Sequence, residues 1–511
     1  MTGDADASAS KWSRAAVAYA LAAILALHVA VIVRSAGRAL DHDEGEHLRA
    51  AAWMAGGRTI YRDFVENHTP LLYELLRPLA PTGSASIDAL RRYVTSARLL
   101  TGAAGLLAVL CAGAFAAVVA RRRVAALAAI VPLLLVGWTS LRAFDDVRSE
   151  PYTLLLFWCG ALLLVAAPAA GIRGALLLGA GLGAISAAAV WNPKWPAESL
   201  VMLAWFCIRA LDLARVSKRL ALLSVVPAIA IPAVALAVAL QATTLRDLTF
   251  FGFRYAAALS HWHGTSPLTT LSVPFAFCSP WLRPWFVVPV ALVVIWSVRS
   301  RRVVLPLMLL LASAVEVRFL YPYPRLWPQY FVMWGCCAAV IYGLLAAQLP
   351  HGCAPIVAGV LVVVFFLHDL GFAIRRPDER HWEVKQELNR LLRPGEAAWV
   401  RPEEYPLDVP AGSYYWYAFD DQVPFTIEFA QRPEARGFLP ALRDEELPPC
   451  TLLRAQQTGA PPGYVHVRLI DNRAVRHLPR SAQCLGELWR IGALRRIGAT
   501  ALWEVRPPAR R

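Results

Sequence analysis

The chain has 511 residues, of which 57% are hydrophobic and only 17% charged, and its formal net charge is +15. Soluble domains carry about 25% charged residues, and apolar runs of about 20 residues recur through the first three quarters of this chain, which excludes a soluble domain and indicates a polytopic membrane protein. The positive charge does not indicate a nucleic-acid partner. The basic residues cluster in short loops between apolar runs, where they report topology, and nearly all are arginine, the lysines being Lys11, Lys194, Lys218 and Lys385.

In chain order, a short polar tail at residues 1–13 precedes an uncleaved first span at 15–34, too long for a signal-peptide apolar region and without an A-x-A cleavage pattern. An external loop follows at 35–93. Within it, residues 44–55 read as a helix with Leu48, Ala51, Ala52 and Met54 on one face, stopped by Gly56-Gly57. Pro70 opens a second amphipathic stretch through Leu79, where proline is tolerated. Both helices are expected to lie on the membrane surface.

Further spans are predicted at 94–119, 124–138, 151–168, 172–190, 197–211, 219–240, 284–298, 303–316, 329–348 and 354–373, about eleven in all. With the N-terminus in the cytoplasm, Arg121-Arg122-Arg123, Arg173, the 209–219 segment with Lys218, and Arg299–Arg302 all fall inside, as the distribution of positive charge requires. The segments 139–150, 241–283 and 317–328 are then external, and the spans read as nearly free of ionisable residues apart from His28. The membrane domain covers residues 14–373. Residues 374–511 form a small extracytoplasmic α/β domain, with a helix at 381–392 and strand-like alternation at 397–400, 464–470 and 499–505. The fold class is thus an all-α polytopic membrane protein with an appended α/β domain. Of the nine cysteines, Cys450 and Cys484 stand in that external domain, where the compartment permits a disulfide that spacing alone does not establish.

The chemistry-bearing residues lie at the external ends of the spans. An adjacent Asp43–Glu44 pair just after the first span is costly to keep at a membrane surface without a function, although acidic residues are also favoured at helix starts. Neighbours on one helix point about 100° apart, so the two do not share one role. Asp145, Asp146 and Glu150 lie in the second external loop, where Glu150 reads either as a site carboxylate or as a solvated charge paired with Arg142 or Arg148. Lys194, between Trp191 and Trp195, suits either a point charge on a lipid phosphate or a side chain reaching to the interface. Arg318 and Arg325, near Tyr330, pose the same choice. His68 suits a phosphate contact or a metal site with His47 or Glu44. His261 and His263 would share one face on a strand, but without a third ligand nearby they read as part of a polar loop. No Walker or G-x-G-x-x-G pattern supports nucleotide use.

The first loop, with Asp43-Glu44-Gly45, Gly56-Gly57, Tyr61, Asp63-Phe64 and His68-x-Pro70-Leu71, resembles that of the GT-C glycosyltransferases. The likeness is narrower to the bacterial members of the dolichyl-phosphate-mannose mannosyltransferase and aminoarabinose transferase superfamily. Arg148-Ser149-Glu150-Pro151, Asn192-Pro193-Lys194 after Gly181-x-Gly183, and Trp327-Pro328-Gln329-Tyr330-Phe331 add to it, although that family commonly has a basic residue at the position of Gln329. The resemblance implies a multi-pass enzyme of the inner or plasma membrane. It would transfer a hexosyl or pentosyl group from a polyprenyl phosphate, with inversion, to an external glycan, lipid or protein acceptor. It implies Asp43 as general base with Glu44 beside it, Glu150 as a second-loop carboxylate, and His68, Lys194, Arg318, Arg325 and Tyr330 toward the donor phosphate and lipid. A divalent metal would draw on Asp43, Glu44 and His68. Two other classes stay open: an O-antigen-type polymerase or ligase, expected to place its large loop between late spans, and a lipid or polysaccharide transporter, expected to carry charges inside its spans.

Overall fold

The computed structural model describes residues 42–81, 86–139, 146–262, 304–316, 332–348, 423–440, 448–458 and 479–496 continuously, with shorter pieces elsewhere. The chain divides into two compact units, one of residues 1–36, 98–238 and 263–376, the other of residues 37–97, 239–262 and 377–511.

The first unit is helical. Its described elements include Val124–Thr139, Glu150–Ala166, Gly171–Trp191, Pro196–Val216, Val304–Val315 and Val332–Ala346. Ile87–Ala120, Gly171–Trp191 and Lys218–Ala242 are long and apolar enough to cross a membrane, and the protein is membrane-embedded. Helices in lipid pack by close backbone approach at small residues, and here the glycines have that role. A Cβ on Gly160 would stand 2.5 Å from the Gly181 carbonyl, and one on Gly183 would stand 2.5 Å from the Pro227 carbonyl. Phe115, Phe157 and Trp158 fill the core beside them.

The second unit contains the first-loop helices His42–Ala55 and Leu71–Leu76, the latter continued by a 3-10 turn at Arg77–Leu79. Gly57 takes φ +87 directly after the first of them, the left-handed stop that glycine adopts without a Cβ clash. A short helix Leu245–Thr249, a π-helical turn Phe250–Tyr255 and a helix Ala256–Trp262 follow. Four short strands, β1 (Ala398–Trp399), β2 (Tyr464–His466), β3 (Leu494–Arg496) and β4 (Leu502–Val505), form one sheet in the order β1-β2-β4-β3. Only the β1–β2 pair is parallel. Helices Val423–Ala430, Pro448–Thr458 and Pro479–Arg490 accompany the sheet. Cys450 and Cys484 are joined by a disulfide that ties the last two of these helices, with Cα atoms 5.0 Å apart.

Several expectations need correction. The span expected at 94–119 lies within a longer helix, Ile87–Ala120, whose added residues include the buried Leu90 and Tyr93. The 241–283 segment is helical from Leu245 to Trp262, so His261 stands in a helix and the strand spacing for His261 and His263 does not hold. The spans are not free of charge: Arg98 and Glu198 lie buried within helices. Arg98 is satisfied by the Ala36 carbonyl at 3.0 Å. The span at 284–298 lies outside the described residues, as do most of 354–373 and of the helix at 381–392.

Candidate active site

Two groups of polar side chains stand out, one in each unit. In the second unit, the His42–Ala55 helix sets Asp43, Glu46 and His47 on one face by their three- and four-residue spacing. Asp43 is half-buried, whereas Glu44 is fully buried on another face. The loop behind them is fixed by Tyr61. This residue holds a left-handed φ of 67°, rare for an aromatic residue and characteristic of constrained functional loops. Its amide donates to the Phe64 carbonyl at 3.0 Å, its hydroxyl donates to the His68 carbonyl, and its ring stacks on Phe251 at 4.6 Å.

This anchored loop presents Glu66, which is fully buried. The Asn67 amide (2.9 Å), the His68 amide (3.2 Å) and His68 Nδ1 (2.8 Å) all donate to Glu66 Oε1. Burial pushes the Glu66 carboxyl up, but the His68 hydrogen bond, the charges of His68 and His47, and the Asn67 amide outweigh it and hold the group below the ordinary glutamate value. The His47 and His68 rings meet edge to face at 4.7 Å, and His47 Nδ1 is 3.2 Å from the Tyr73 hydroxyl. Ligand atoms of Glu46, Glu66 and His68 lie within 4.8 Å of one another, and two carboxylates with an imidazole suit a divalent cation. Of the metal set expected from sequence, His68 is in this cluster, while Asp43 and Glu44 are not among its three members.

In the first unit, the segment at 146–150 and the turn at 192–195 converge. Lys194 Nζ donates to Glu150 Oε1, and Asn192 Nδ2 donates to Ser149 Oγ at 2.5 Å. Arg148 pairs with Asp146 at 3.4 Å. Glu150 is 4% exposed, so it is not the solvated loop charge that one sequence reading allowed. Burial raises its pKa, but the charges of Lys194 and Arg148 and the Lys194 hydrogen bond prevail and hold it at about 2.

The turn carrying Lys194 is itself constrained. Trp195 sits at φ 62, ψ 47 with its ring buried. Its amide donates to Glu316 Oε1 at 2.7 Å, and its carbonyl accepts from the Ser199 amide at 3.2 Å and hydroxyl at 2.9 Å. A strained backbone persists when its surroundings over-determine it, and here both backbone groups of Trp195 are held. Asp145, Arg142, Arg318, Arg325 and Tyr330 lie outside the described residues.

No protein-family model matches the chain, and no curated protein matches its sequence. Among solved structures, the crystal structure of ArnT from Cupriavidus metallidurans bound to undecaprenyl phosphate is similar over 97% of this chain and 98% of that one, with a TM-score of 0.59 and 14% identity. This chain has the GT-C fold. At 14% identity the likeness is one of fold, and it extends over nearly the whole chain.

Proposed function

We propose that the protein is an integral membrane glycosyltransferase that moves a sugar from a polyprenyl phosphate to an extracytoplasmic acceptor. The observation that carries this reading is the cluster of the buried Glu46 and Glu66 with the partly exposed His68, formed by the His42–Ala55 helix and the anchored loop, with Asp43 on the same helix face as Glu46. The GT-C fold, and the undecaprenyl phosphate bound to the similar ArnT structure, supply the donor class.

Glycosyl transfer proceeds through an oxocarbenium-like transition state. Inversion in one displacement needs a carboxylate to take the acceptor's proton. Asp43 has this role because it is partly exposed and can meet an acceptor, whereas Glu44 is sealed from solvent and supports the helix start. The departing phosphate requires positive charge. A divalent cation held by Glu46, Glu66 and His68 would supply neutralisation there. For Lys194, which donates to Glu150, we propose from the sequence resemblance alone a contact to the donor's lipid phosphate. The same proposal from the sequence covers Arg318, Arg325 and Tyr330, which lie outside the described residues.

One observation favours a second reading. Glu198, fully buried in the first turn of the helix Pro196–Val216, is a sequestered carboxylate of the kind a transporter would use. The two are separated by following polyprenyl-phosphate sugar in membranes that contain the protein. Loss of the lipid-linked sugar, abolished by Asp43→Asn at equal protein abundance, supports transfer. Movement of the intact lipid-linked sugar across the bilayer without its loss supports transport.

A further inference from the structure

The segment after the helix Lys218–Ala242 carries a feature that the transfer chemistry does not use. Leu245, Arg246, Thr249, Phe250, Arg254 and Phe438 line an open cleft of about 370 Å³. Phe438 stacks on Phe250 with ring centroids 4.0 Å apart and planes within 6°, and the Arg246 guanidinium lies 4.3 Å from the Phe438 ring centroid. Gly437, at φ +77, brings the backbone close to the same guanidinium, where a Cβ would stand 3.3 Å from Arg246 Nη2. Arg246 is therefore ordered before any ligand arrives, which lowers the entropy lost on binding. Arg254 lines the same cleft, and among the described residues neither arginine forms an ion pair. The nearest carboxylate in sequence, Asp247, is engaged with Thr244, whose hydroxyl lies 2.8 Å from it and also caps the Asp247 amide.

The surroundings point to a lipid. The cleft begins shortly after Ala242, where a helix with only 11% of its apolar window buried comes to its end. Leu245 and Phe253 beside the arginines are 58% and 49% exposed. Leu248, Phe250, Phe251 and Tyr255 are buried while Leu245, Arg246, Phe253 and Arg254 are exposed, and apolar side chains beside arginines on the exposed part of a segment are the pattern of a membrane interface. On the topology read from the charged loops this segment is external, where the distribution of positive charge disfavours arginine. Two arginines retained there, one of them pre-ordered, are explained by a bound anion.

We infer that this cleft binds the phosphate of an anionic phospholipid headgroup between Arg246 and Arg254, with the acyl chains against Leu245 and Phe253. The site is independent of the transferase reading. The test uses the purified full-length protein in detergent and native mass spectrometry, with phosphatidylglycerol and phosphatidylcholine in equal amounts. Wild type is expected to retain phosphatidylglycerol preferentially. Arg246→Gln and Arg254→Gln each weaken that retention about fivefold, the effect of one arginine near an anionic surface, with phosphatidylcholine unchanged. Arg254→Gln, an exposed substitution, carries the test alone if Arg246→Gln does not fold. Equal retention of phosphatidylglycerol by wild type and Arg254→Gln overturns the inference. Displacement of the lipid by inorganic phosphate at comparable concentration also overturns it, because the cleft would then be a soluble-phosphate site.

Discussion

Replacing Lys194 with methionine tests how the second-loop group is held. Glu150 is 4% exposed, and the Lys194 side chain is 19% exposed, so the pair is mostly dry on the carboxylate side and partly wet on the ammonium side. Removing one partner of a buried pair costs about 3–5 kcal/mol, because a charge is left uncompensated. Arg148 still faces Glu150 and Lys194 is partly hydrated, so the loss falls at about 3 kcal/mol, the low end of that range. Glu150→Gln in the same chain removes the stranded charge, and the double variant should recover about 2 kcal/mol of the loss, as coupled neighbours do. The assay is a double-mutant cycle of four proteins, unfolded by denaturant in one detergent with slopes compared. A double variant whose loss equals the sum of the single losses within about 0.5 kcal/mol would refute the reasoning, since Lys194 would then not be committed to Glu150.

Acid should act on the same pair. Glu150 ionises at about 2 in the folded protein against an ordinary 4.5, so its contribution is fully present above about pH 4.5 and is lost as pH falls toward 2. A pH series of wild type against Glu150→Gln should show the difference only in that window. At the first loop, Glu66→Gln should lower the affinity for a divalent cation, measured by calorimetry on the purified protein, by at least about tenfold, while unchanged affinity would remove Glu66 from the cluster. Arg121 ends the Ile87–Ala120 helix at φ 57 with its neighbour's amide bonded back to the Ala117 carbonyl. Arg121→Gly should therefore raise stability by about 1 kcal/mol in thermal unfolding, unlike Arg122→Gly.

Local signals were read well from the sequence and distant ones were not. The stop at Gly56-Gly57 and the start at Pro70 follow from backbone conformation within a few residues, and the structure has both. The three-residue step from Asp43 to Glu46 is equally local, but one further acid on a helix face is a weaker signal than an adjacent acidic pair at the helix start. Glu66 was legible only weakly, as an acid two residues before His68. Its importance comes from complete burial, which no periodicity in a loop reveals. The hold of Glu316 on the Trp195 amide joins residues 121 positions apart, and nothing in the sequence pairs them. The membrane spans were placed by hydropathy, which locates an apolar run but not where its helix begins. The first seven residues of Ile87–Ala120 are therefore helix outside the run predicted at 94–119.

The central claim is that Asp43 takes a proton while a sugar leaves a polyprenyl phosphate. The most direct measurement follows sugar-loaded undecaprenyl phosphate in membranes with wild type or Asp43→Asn at matched abundance. The account predicts that wild type consumes the donor and releases undecaprenyl phosphate, and that Asp43→Asn lowers this rate by at least about a hundredfold, the usual contribution of a general base. Equal rates from the two proteins would contradict it.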